Sequence, residues 1–115
     1  VRDYVHVLDL AAGHVAALEK LSEGHAGGVF NLGFEYGHSV LEVVESARRI
    51  TGHTIPVRLR GRRPGDPAML VADSQRAERD LGWTAQRSQL DALLSDAWAW
   101  RVRHPDGYGS AETDQ

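Results

Sequence analysis

At 115 residues, with 13 basic against 16 acidic side chains and a formal net charge of −3, the chain has the size of one small domain that can bury roughly two-thirds of its unfolded surface. Apolar residues at 42% and charged residues at 25% match an ordinary globular composition and exclude a fibrous or disordered chain. There is no cysteine, which removes disulfide frameworks, thiolate zinc sites and cysteine nucleophiles. No apolar run approaches the ~18 residues of a membrane span, and no charged-then-apolar leader opens the chain. The slightly acidic total argues against a dedicated nucleic-acid binder. The sequence begins at Val1 rather than at Met and reads as a piece of a longer protein.

Val1 to Val7 alternates apolar and polar residues, which predicts a half-buried strand with Arg2, Tyr4 and His6 on one face. Asp9 is placed to cap a helix through Leu21, whose stripe runs Ala11, Val15, Leu18, Leu21. After Gly24, Gly27 and Gly28 break the chain, Gly28 to Gly33 predicts a short buried strand. Ser39-Val40-Leu41-Glu42 is a capping box. Behind it Val40, Val43, Val44, Ala47 and Ile50 recur at helical spacing until Gly52. Ile55 to Arg60 predicts a third strand and Met69 to Val71 a fourth, with a turn at Arg62 to Pro67 between them.

Asp73 can cap a short helix ending at Leu81 and Gly82. Ser88-Gln89-Leu90-Asp91 repeats the capping-box pattern before a helix whose wide stripe (Leu90, Leu93, Leu94, Ala97, Trp98) should pack on the core. Trp83, Trp98 and Trp100 read as core and rim of that last layer. Pro105 and Gly107 end it. Residues 1–109 therefore form one unit with a flexible tail at 110–115. The class is α/β: a small mixed sheet with about four helices.

Several kinds of chemistry are missing. No glycine fingerprint joins a strand to a helix, and Lys20 has Ala16, not tyrosine, four residues before it. The six histidines contain no pair at the i,i+4 spacing of a helical zinc site, so no metal centre is expected. No serine elbow is present. No residue of this chain is assigned a catalytic role.

The informative element is Arg62-Arg63-Pro64-Gly65-Asp66. Proline then glycine at the centre of a four-residue turn favours type II geometry, which brings the α-carbons of Arg63 and Asp66 within about 7 Å. The guanidinium suits phosphate oxygens and the carboxylate suits a vicinal diol, two chemistries that a nucleoside diphosphate presents side by side. The same pair can do no more than close an exposed turn, a contact worth roughly 0–1 kcal/mol. The run Arg58, Arg60, Arg62, Arg63 can likewise be a solvated strand face; no aromatics interleave it to stack bases, which speaks against nucleic acid. Arg2 and Tyr4, two apart, form a second constellation, either a cation and a phenol lining a pocket or an edge-strand arginine passing a half-buried tyrosine.

The segment Val1-Arg2-Asp3-Tyr4-Val5-His6-Val7-Leu8-Asp9-Leu10-Ala11-x-Gly13-His14 resembles the opening of the carboxy-terminal part of UDP-glucose 4-epimerases. The resemblance continues through Phe30 to Gly33, Ser39 to Val43, Arg62 to Asp66, Asp80 to Trp83, Asp96 to Trp100 and His104 to Tyr108. It implies the substrate-binding part of an extended short-chain dehydrogenase/reductase that lacks its Rossmann half. That missing half would bind NAD and carry the tyrosine–lysine pair. The whole enzyme would be a cytoplasmic homodimer interconverting UDP-glucose and UDP-galactose.

Carried over by position, Arg2 and Arg63 bind the diphosphate of a UDP-hexose and Asp66 a ribose hydroxyl. Tyr4 and the backbone near Val40 line the nucleotide pocket, and Leu70 borders the sugar, where its intermediate bulk bears on tolerance of N-acetylhexosamines. The fragment alone would be inactive. Phe34-Glu35-Tyr36 departs from the family's small residues, and a carboxylate at Glu35 pointing inward would oppose an anionic ligand. That departure keeps open a non-catalytic binding or structural domain, and a nucleotide-sugar 4,6-dehydratase is the sister alternative.

Overall fold

A computed structural model describes residues 1–109; the tail expected at 110–115 lies outside the described residues. In chain order the elements are β1 (Arg2–Asp3), α1 (Val7–Ser22), β2 (Gly37–His38), α2 (Val40–Thr51), α3 (Gln75–Leu81) and α4 (Leu90–Arg103). The small mixed sheet with four helices is present in miniature. β1 pairs antiparallel with β2, Arg2 opposite His38 and Asp3 opposite Gly37, and Leu70 forms a parallel bridge to Arg2. Helix α1 packs with α3 and α2 with α4.

The strand expected over Val1 to Val7 stops after Asp3 because His6 turns the chain into α1. His6 Nδ1 accepts the Leu8 amide at 3.0 Å, capping the helix that Asp9 was expected to cap. Asp9 instead sits inside the first turn, buried, and reaches sideways: its carboxylate accepts the Gln86 amide at 3.0 Å, the Arg87 amide at 2.9 Å and the Ser88 hydroxyl at 2.6 Å. This takes Ser88 away from the second capping box. Gln89 occupies the N-cap of α4 with no side-chain bond, and Asp91 turns to Ser46 and to Arg49 Nη2, 2.7 Å away, on α2.

Elsewhere the local stop and start signals hold, with one exception. Both halves of the Ser39–Glu42 box form, at 3.2 Å and 2.6 Å. Gly52 and Gly82 end their helices in the left-handed region. The cap expected of Asp73 falls instead to Ser74, which makes no side-chain cap bond, and Asp73 Oδ1 accepts the Gln75 amide at 3.0 Å from one residue before it. The segments at 28–33 and 55–60 form no paired strand, and the third short segment contributes only the Leu70 bridge. A strand needs a partner ladder, and among the described residues neither longer segment has one.

The buried apolar core of the described residues is Ala77, Leu81 and Trp83, with Ala16, Ala17, Phe30, Leu32 and Ala85 packed against it. Trp83 is thus a core residue of the α1–α3 pair, its indole N–H donating to the Asp9 carbonyl at 2.8 Å. Trp98 and Trp100 are half-buried on α4, which has no buried residue and rests on α2 rather than on a central core. The radius of gyration is 17.8 Å and the extents are 51 × 50 × 28 Å, whereas a self-sufficient domain of about 100 residues has a radius of gyration near 13 Å.

Candidate functional site

The turn forms as the sequence predicts: the Asp66 amide donates to the Arg63 carbonyl at 3.2 Å and Gly65 has φ 75°, the left-handed conformation that glycine adopts without steric cost. Asp66 is half-buried and faces two guanidinium groups. Arg2 Nη2 donates to Asp66 Oδ1, and Arg63 Nη2 lies 3.4 Å from Asp66 Oδ2. Arg2 is also held by the carbonyls of Val1 at 2.8 Å and Pro67 at 3.0 Å, so its fork is fixed against the base of the turn. Arg63 is exposed over most of its side chain. Residues 64 apart in sequence thereby converge on one carboxylate.

Beside this cluster opens a cleft of about 510 Å³ whose walls include Arg2, Asn31, Leu32, Leu70 and Ala72. Leu70, exposed, is placed there by its bridge to Arg2 and by its amide, which donates to the Val1 carbonyl at 3.1 Å. The structure therefore brings Arg2, Arg63, Asp66 and Leu70 together. Tyr4 is half-buried beyond the end of β1, so the shared strand face that joined it to Arg2 is lost. Val40 is the first residue of α2, two positions past His38, the strand partner of Arg2. Neither Tyr4 nor Val40 hydrogen-bonds to the arginine–aspartate cluster.

Glu35 does not oppose an anion at this site. Its Oε1 accepts the Ser74 amide at 2.7 Å, at the start of α3, and its backbone is held at φ 61°. Sequence reading passed over Asp3, whose carboxylate gathers amides from two loops, because an aspartate between an arginine and a tyrosine gives no local motif. The one available signal was strand alternation, which sets Asp3 on the face opposite Arg2. Among the described residues no group of three or more His, Cys, Asp or Glu side chains is placed to hold a metal ion, and no helix is long and apolar enough to cross a membrane. Gly24, Gly27 and Gly28 follow α1 and lead into an extended stretch rather than a helix, so they make no dinucleotide fingerprint.

The NAD dependent epimerase/dehydratase family matches residues 1–33. The UDP-glucose 4-epimerase of Bacillus subtilis is 46% identical over 112 residues, which is 97% of this chain and 33% of that protein. The human enzyme of the same name is 44% identical over 110 residues. A crystal structure of a UDP-glucose 4-epimerase superposes with a TM-score of 0.88 at 43% identity, over 93% of this chain and 32% of that one. The chain matches the carboxy-terminal portion of UDP-glucose 4-epimerases. It spans about a third of the length of the UDP-glucose 4-epimerases it resembles. The UDP-glucose 4-epimerase of Bifidobacterium longum, solved in complex with NAD+ and UDP, superposes with a TM-score of 0.80 at 41% identity.

Proposed function

We propose that this chain is the nucleotide-sugar-binding portion of an NAD-dependent UDP-glucose 4-epimerase, inactive by itself, whose remaining two-thirds supplies the cofactor site and the proton-transfer pair. The convergence of Arg2, Arg63 and Asp66 carries the reading. Two guanidinium groups within reach of one half-buried carboxylate can grip the oxygens of a diphosphate, while the carboxylate accepts from a ribose hydroxyl. Tyr4 and the start of α2 at Val40 would border the nucleotide, and Leu70 would face the sugar from the cleft wall. NAD, held by the other part of the polypeptide, would supply the hydride acceptor and donor for the sugar's C4. The residues of this chain bind and orient the substrate. The whole enzyme is read as a cytoplasmic homodimer.

The surface supports a covering partner within the same longer polypeptide. On α1, Leu8, Val15 and Leu18 are exposed to 50%, 55% and 67%, and the unpaired stretches carry Val29 at 81% and Leu59 at 83%. A stable single domain rarely leaves such a continuous helix stripe open. The missing two-thirds of the relatives' length is the natural cover, and the extended stretches are ready to join its sheet edges.

Two experiments test the reading. In the full-length enzyme Arg63→Ala should weaken UDP binding about tenfold or more, the loss expected for one charge-assisted contact; a calorimetric change below about threefold would count against the assignment. The 115-residue chain alone, supplied with NAD and UDP-glucose, should form no UDP-galactose, and measurable turnover would overturn the division of labour.

A further inference from the structure

We infer that Asp3 is a positioning residue for the sugar-nucleotide site, acting through the track that carries Leu70 and the Pro64–Gly65 turn; the inference rests on the function proposed above. Its carboxylate accepts three backbone amides from two separate loops: Phe34 at 3.0 Å on Oδ1, and Glu35 at 3.0 Å and Ala72 at 3.2 Å on Oδ2. Its own amide donates to the Leu70 carbonyl at 3.2 Å. One residue therefore fixes the 70–72 segment twice, once by backbone and once by side chain, and ties it to the 33–35 loop. Neighbouring Arg2 meets Asp66 and the Pro67 carbonyl on the stretch leading into that segment. Any slip of residues 70–72 thus moves the cleft wall at Leu70 and separates Asp66 from Arg2.

The 33–35 loop is locked in turn. Gly33 donates its amide to Ser74 Oγ at 2.8 Å and Glu35 accepts the Ser74 amide, so the Asp3 carboxylate is referenced to the start of α3. Asp3 also lines the cleft, but both of its carboxylate oxygens are engaged by backbone amides, so its contribution to binding is to hold these loops in register. Substrate affinity should therefore depend on Asp3 more than the chemical step does.

The test is steady-state kinetics and UDP calorimetry on the full-length enzyme carrying Asp3→Asn, which keeps the shape but sets an NH2 group against at least one amide donor. The KM for UDP-glucose and the Kd for UDP should both rise about fivefold or more while kcat stays within about twofold. If Asp3→Asn does not fold, Asp3→Glu, which keeps both acceptor oxygens but displaces them by one methylene, should show the same split. A lowered melting temperature with unchanged Kd would mean a merely structural role and overturn the inference, as would a fall in kcat at unchanged KM. Arg63→Ala is the control. If it weakens UDP binding and the Asp3 variants do not, only this inference fails; if none of them changes Kd, the proposed function fails with it.

Discussion

Asp9→Ala should destabilise the fold by about 3 kcal/mol or more, because it leaves the Gln86 and Arg87 amides and the Ser88 hydroxyl without their acceptor in a buried corner. Urea unfolding followed by tryptophan emission is a direct readout, since the indole of Trp83 donates to the backbone carbonyl of Asp9 itself. The same carboxylate sets part of the acid limb. Burial raises its pKa, but the bonds from Ser88, Arg87 and Gln86 outweigh burial and hold it below the ordinary 3.8. A carboxyl depressed in the folded state lends stability above its unfolded value, and that stability is lost as pH falls through the folded value. Stability should therefore decline below about pH 4. Asp9→Ala should flatten that decline; an unchanged acid limb together with a loss below about 1 kcal/mol would contradict this role of the Asp9 carboxylate.

Gly33→Ala should be the second severe change. A Cβ there would lie 2.5 Å from Asp3 Oδ2 and closer still to the Ala72 Cβ, which is not the end of a flexible side chain and cannot swing aside. Relief requires the loop at 33–35 to part from the 71–72 segment, breaking amide bonds to Asp3. The expected loss is about 2–3 kcal/mol, typical of overpacking a close approach. Thermal unfolding checks this, with Gly52→Ala as the comparison: no atom stands near a Cβ at Gly52, so that variant suffers only the strain of its left-handed backbone.

What could be read from the sequence was what short range decides. The Ser39–Glu42 box, the glycine stops at Gly52 and Gly82 and the Pro64–Gly65 bend each depend on residues within four positions, and each formed. The second box did not, because Ser88 and Asp91 have stronger partners far away in Asp9, Ser46 and Arg49. The exchange of capping roles between His6 and Asp9 has the same cause: an aspartate that can collect three donors from residues 86–88 is worth more there than at a helix end. Gly28 to Gly33 and Ile55 to Arg60 have strand-like sequences, yet strand pairing is a property of two segments. At the site, the turn signalled Arg63 and Asp66 but not Arg2; strand alternation offered Arg2 beside Tyr4 as one of two readings, and only the family resemblance set it beside Arg63 and Asp66. Asp3 escaped both routes.

The sharing of Asp66 between two arginines has an electrostatic consequence. With one carboxylate against two guanidinium charges, the pocket keeps a counter-ion of its own and a single residual positive charge. A small monovalent ion such as chloride must compete with a tethered anion at high effective concentration and gains little by entering. A group bearing two charges and several oxygens can satisfy both cations at once and release the aspartate toward a hydroxyl. Under the proposed function, this resting arrangement would favour pyrophosphate esters over ambient salt.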